Sequence, residues 1–165
     1  MVPVPISAYG RGVDVLILVA VLVLGTSAGA LLAEATVLVP YWRSLEPQAF
    51  RDWYEANGAL LLRFFGPLEI VALAVPLAAL AAAWSAGGSV RTGLAVAVAG
   101  SVAVLVTFPL YFKAANESFT DASIDVSALP AELERWAVWH WVRVVLAFAA
   151  FAASVVAALA SGTVA

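Results

Sequence analysis

The chain has no cysteine, one histidine and few charges, and each scarcity removes a class of chemistry. Without cysteine there are no disulfides, thiolate metal sites or cysteine nucleophiles; the lack says nothing about compartment. One histidine is little imidazole for a first-row metal, and neither HxxxH nor ExxH spacing occurs, so no metal ligand set is assigned. Charged residues make up 12% of the chain, against about 25% in an ordinary soluble domain. The net charge of -3 is spread over loops, so no basic stripe marks a nucleic-acid partner. A nucleophile elbow, a Gly-rich phosphate loop and an internal repeat are also missing.

What remains is hydrocarbon. The 165 residues are 64% hydrophobic, with a mean hydropathy of +1.01. Such a chain cannot cover its surface in water, so lipid has to be its solvent. Each crossing needs about 20 apolar residues, and the runs predict four spans at about 13–39, 59–84, 93–112 and 137–160. The opening run resembles a signal peptide, with Arg11 before an apolar core and small residues in "TSAGA". Its apolar character resumes through Leu31 and Val39, which predicts a retained helix. The fold class is therefore all-α: a single transmembrane domain over 1–165, an antiparallel four-helix bundle with two longer loops on one side. A multi-pass protein of a bacterial-type cell membrane is expected.

The connections alternate. "SAGGSVRT" reads as a tight turn, whereas "YWRSLEPQAFRDWYEANG" and "KAANESFTDASIDVSALPAELER" read as longer charged loops. Pro130 followed by Glu132 and Glu134 predicts a helix start in water, and Trp136, Trp139 and Trp141 an aromatic belt at the bilayer edge. Antiparallel spans bring Glu34, Arg63, Glu69, Thr107, His140 and Arg143 to the long-loop side. Ionisable groups cost roughly 2.5–3.5 kcal/mol each inside a bilayer, so they face the interior and find partners. A shared polar pocket is the expectation.

Within "WAVWHWVR", helical spacing puts Trp136, Trp139, His140 and Arg143 on one face. That offers a base and a cation beside an aromatic wall, or alternatively an interface anchor with Arg143 paired to Glu34 or Glu69. Glu69 lies between Pro67 and Pro76, which free the carbonyls of Arg63 and Ala72 and are expected to break the helix beside a cavity. Glu34 is expected to share a face with Ser27, Ala30 and Tyr41. Gly25 and Gly29 spell GxxxG, either an intramolecular seam or a homo-oligomer face.

Three stretches, "GTSAGALLAEATVLVPYW", "FPLYFKAANESF" and "ELERWAVWHWVRVVLAF", resemble the anthrone oxygenase-like family of small four-helix membrane proteins. Asn116, Trp136, Trp139 and Arg143 fit that pattern. The chain departs from it in having only Asn116 where the family often pairs two asparagines, and His140 where asparagine is common before the arginine. The resemblance implies oxidation of an anthrone- or hydroquinone-type aromatic by molecular oxygen, without an organic cofactor. His140 is then the expected base, with Arg143, Asn116 and Glu69 completing the catalytic set. Glu34, Arg63, Trp136, Trp139, Tyr41 and Tyr111 are the expected substrate contacts, the partners being a lipophilic small molecule and the bilayer. A non-catalytic scaffold or lipid-binding subunit and a small proton-coupled transporter are the competing readings.

Overall fold

A computed structural model describes residues 10–85, 87–121 and 123–162. Four helical stretches carry the chain: α1 (Arg11–Ser44), α2 (Pro47–Ala82), α3 (Gly88–Thr120) and α4 (Val126–Ser161). All four are long and apolar enough to cross a membrane, which makes this a multi-pass membrane protein. Among the described residues there is no strand. The helices pack in a ring, α1 on α2, α2 on α3, α3 on α4 and α4 on α1. The α3/α4 contact is the most extensive of the four. Leu22, Val145 and Leu159 project outward, as lipid-facing residues should.

Each boundary has a local cause. Pro47 opens α2, where its missing N–H costs nothing, after an extended Glu46. Pro130 sits in the first turn of the α-helical part of α4, as expected, and Gly162 at φ 76° closes that helix in the left-handed region. The two loops expected to be long are mostly helix. The α1–α2 link shrinks to Leu45 and Glu46, because "YWRS" continues α1 and "PQAFRDWYEANG" begins α2. The third loop shrinks likewise, since "KAANESFT" extends α3. Periodic aromatics explain this: Trp42, Phe50, Tyr54 and Phe119 all turn inward into one cluster with Phe112 and Trp136. Polar composition marked these segments as leaving the bilayer, not as leaving the helix. Ala86, in the predicted tight turn, lies outside the described residues.

In the α3–α4 connection, Asp121 accepts from Ser123 and Asp125 accepts from Ser127. Those hydrogen bonds hold both carboxyls below the usual aspartate range. Arg51 ties the same connection to α2 by donating to the Ile124 carbonyl.

Two π-helical turns interrupt the bundle, at Glu34–Leu38 in α1 and Phe108–Phe112 in α3. Each sits against a proline that withholds a backbone donor, Pro40 and Pro109. Val39 N–H reaches back to the Glu34 carbonyl and Lys113 N–H to the Phe108 carbonyl, each closing a wider ring. One extra residue per turn rotates everything beyond it by about 100°. In α1 the buried positions pass from Ser27, Leu31 and Glu34 to Ala35, Val39 and Trp42; in α3 they pass from Val104 and Thr107 to Phe112, Ala115 and Phe119.

Glycines set the tight seam. A Cβ on Gly93 would lie 2.8 Å from the Ala153 carbonyl oxygen, and one on Gly100 2.9 Å from Ala150 Cβ, so α3 meets α4 nearly backbone to backbone. Gly25 packs against Phe151 within the bundle, whereas Gly29 faces open space. Contrary to the expected break, α2 runs unbroken through Pro67 and Pro76. The Ala72 carbonyl freed by Pro76 accepts a 2.9 Å hydrogen bond from Ser101 Oγ. Thermal unfolding in detergent should show Gly93→Ala destabilised by about 1–3 kcal/mol through overpacking, with Gly29→Ala unchanged or slightly stabilised. Ser101→Ala should cost about 1 kcal/mol, the usual worth of one such bond in a membrane.

Candidate functional site

A cavity of ≈ 570 Å³ opens between α2 and α3, with its inner wall supplied by α1 and α4. Glu34 lies at the start of the α1 π-turn, where the bulge presents it inward. Glu69 reaches the same space from α2, and Ser27 Oγ donates to its Oε1 at 2.9 Å. Arg143 comes from α4. Phe112, turned inward by the second π-turn, offers its ring face 4.8 Å from the Arg143 guanidinium carbon, a cation–π contact. Trp136 Nε1 donates to Asn116 Oδ1 at 2.9 Å, which leaves the Asn116 amide nitrogen as a donor at the cavity wall.

Arg143 is the unusual member. It is 9% exposed and shares the cavity with Glu69 and Glu34. Among the described residues it nonetheless makes no hydrogen bond, and neither carboxylate comes within the 4.0 Å of an ion pair. The expected pairing of Arg143 to Glu34 or Glu69 is therefore not made. A buried charge is normally paired and hydrogen-bonded. Here a fixed set of N–H donors looks into a cavity with two carboxylates across it.

His140 is placed differently from expectation. It is 0% exposed and does not line the cavity. Its Nε2–H donates to the Leu31 carbonyl at 2.9 Å, and its ring stacks on Trp136 at 4.9 Å. The Glu34 carboxylate stands 3.6 Å from the same nitrogen, beyond hydrogen-bond length, and Nδ1 has no hydrogen-bond partner among the described residues. His140 thus braces α4 against α1 from behind the site. Among the described residues no three His, Asp or Glu side chains gather closely enough to hold a metal ion.

The structure gathers Glu34, Glu69, Asn116, Trp136 and Arg143 around the cavity and leaves the other candidates outside. Tyr41 is 45% exposed and meets Trp53 edge-on. Tyr111 stacks on Trp139 at 5.3 Å and donates to Glu132 at 2.6 Å. Tyr41 follows the first π-turn, so the extra residue swings it off the Glu34 face that uniform helical periodicity assigned it; Tyr111 lies within the second, half-buried beside Trp139 against the aromatic cluster. Arg63 is exposed because its six-residue offset from Glu69 puts it some 240° around α2. Thr107 is buried but bonds the Val104 carbonyl, away from the cavity. Sequence reasoning missed Tyr54, Phe65, Phe112 and the rim pair Lys113 and Glu117. Tyr54 was legible as one turn past Phe50; Phe112 was not, since its inward turn depends on the bulge.

His140→Ala should lower stability by about 2–4 kcal/mol, from a buried void plus a carbonyl that loses its donor; a calorimetric scan of the purified variant measures it. Compared with known proteins, the chain matches no protein-family model, no curated protein and no solved structure.

Proposed function

We propose that the chain is a membrane-embedded, oxygenase-like enzyme that oxidises a small lipophilic aromatic of anthrone or hydroquinone type with molecular oxygen. The observation that carries this reading is Arg143, buried, without a hydrogen bond to the described residues and turned into an aromatic-lined cavity opposite two carboxylates. Such a cation is suited to receive charge as it develops, because preorganised donors act most strongly where water is excluded.

In the mechanism, Glu69 takes the place expected of His140. Its Oε1 is held by Ser27, and its carboxylate removes a proton from the doubly benzylic carbon of an anthrone. The electron pair delocalises onto the ketone oxygen, which Arg143 and the Asn116 amide stabilise. The carbanion forms a C–O bond to dioxygen, and the resulting peroxide takes its proton back from Glu69. Loss of water from that hydroperoxide leaves the quinone carbonyl. One dioxygen is consumed for each methylene, one of its atoms entering the product and the other leaving as water. Glu34 balances the charge of Arg143, and His140 positions the α1–α4 wall.

Purified protein in lipid nanodiscs should consume oxygen and form quinone from an anthrone above its spontaneous oxidation, with one labelled atom retained from ¹⁸O₂. Glu69→Gln should lower the rate by about 10²–10⁴-fold, the range of a general base. Arg143→Gln should lower it by about 10²–10³-fold, the range of one oxyanion donor. Tyr41→Phe should leave it unchanged. Wild-type rates in both cavity variants would refute the mechanism. Tight binding without turnover would favour the lipid-binding reading instead.

A further inference from the structure

We infer that the cavity loads sideways from the acyl-chain layer, through the seam between α2 and α3. Its ligand is a phenol or hydroquinone head carrying a hydrocarbon tail that stays in the seam. For the head group this rests on the proposed oxygenase function; the route and the tail rest on the mouth of the cavity.

The mouth is apolar at bilayer depth. Leu62 is 56% and Ile70 62% exposed on the α2 side, facing Phe108 on α3, and all three line the cavity. Leu62 and Ile70 belong to the apolar run that begins at Ala59. Glu69 in turn lies roughly 15 Å along the axis from the start of that run, at 1.5 Å per residue. The charged rim residues Glu55, Lys113 and Glu117 lie at the other, loop-side end, where Lys113 and Glu117 pair with each other at 3.9 Å. The opening therefore grades from charged to hydrocarbon along its length, as a slot for an amphiphile does.

The inner end dictates the head. Arg143 can only donate, whereas ionised Glu34 and Glu69 can only accept. A hydroxyl does both, satisfying cation and carboxylate at once. A carboxylate ligand would face two like charges, and a pure hydrocarbon would leave Arg143 unpartnered. A head of one or two rings leaves part of the ≈ 570 Å³ unfilled, and Phe65, Val104, Leu105 and Phe108 line the rest with apolar side chains.

Gly66 supplies a plug. It lines the cavity, and no atom lies within 4 Å of a Cβ placed on it, so a large side chain there projects into free space. The test is photo-crosslinking in nanodiscs with an alkylhydroquinone bearing a terminal diazirine, mapped by peptide mass spectrometry. Cross-links should concentrate on peptides containing Leu62, Ile70 and Phe108, be lost in Gly66→Trp and persist in Gly66→Ala. Labelling spread evenly over lipid-facing residues such as Leu22 and Val145, or undiminished in Gly66→Trp, would overturn the lateral route. So would cross-links confined to Lys113 and Glu117, which would place the entrance at the water side. Oxygen uptake is read separately with a tailless anthrone, which carries the methylene the mechanism needs. Seam labelling without turnover leaves the route standing and defeats the oxygenase reading; turnover without seam labelling does the reverse.

Discussion

In hydrocarbon a backbone carbonyl has no water to turn to, and this single demand shapes the bundle. Every proline inside the apolar runs withholds one donor, and at Pro40, Pro76 and Pro109 the chain answers. Ser101 covers the carbonyl freed by Pro76. Around Pro40 and Pro109 the backbone widens into π-turns, with Thr36 and Thr107 hydroxyls donating to the Leu32 and Val104 carbonyls. His140 serves the same demand at Leu31. Of the chain's most polar side chains within the membrane, several are thus engaged in holding helices and not in chemistry.

The two π-turns have a further consequence, because they lie near the same end of the bundle in α1 and α3. Each shifts the helical phase of the segment beyond it, so the inward face changes from small aliphatic residues to large aromatics. The distal half packs through Ala, Gly and Leu, with α3 and α4 in close approach; the other half holds Trp42, Phe50, Tyr54, Phe112 and Trp136. Large side chains between α2 and α3 keep that pair apart where glycines draw α3 and α4 together. A cavity between α2 and α3 is the geometric result, and the ionisable residues of three helices converge at its inner end.

Much of this was legible in the chain itself. Apolar run lengths give four crossings, alternate connection sizes put the polar groups at one end, and the cost of burying charge gathers Glu34, Glu69 and Arg143 inward. Less legible was anything downstream of an inserted residue. Tyr41 was placed on the Glu34 face by uniform 3.6-residue spacing, and that spacing fails at the α1 bulge. His140 was read as a base because an ionisable group in a membrane is costly; the same cost is met when its N–H finds a single carbonyl.

Composition and periodicity alone settle the solvent, the number of helices and the depth of each polar residue, since those follow from transfer free energy along one chain. Which side chains share the cavity is a different matter. It depends on rotation about each helix axis and on the gaps between helices, and these are fixed only when four surfaces pack against one another.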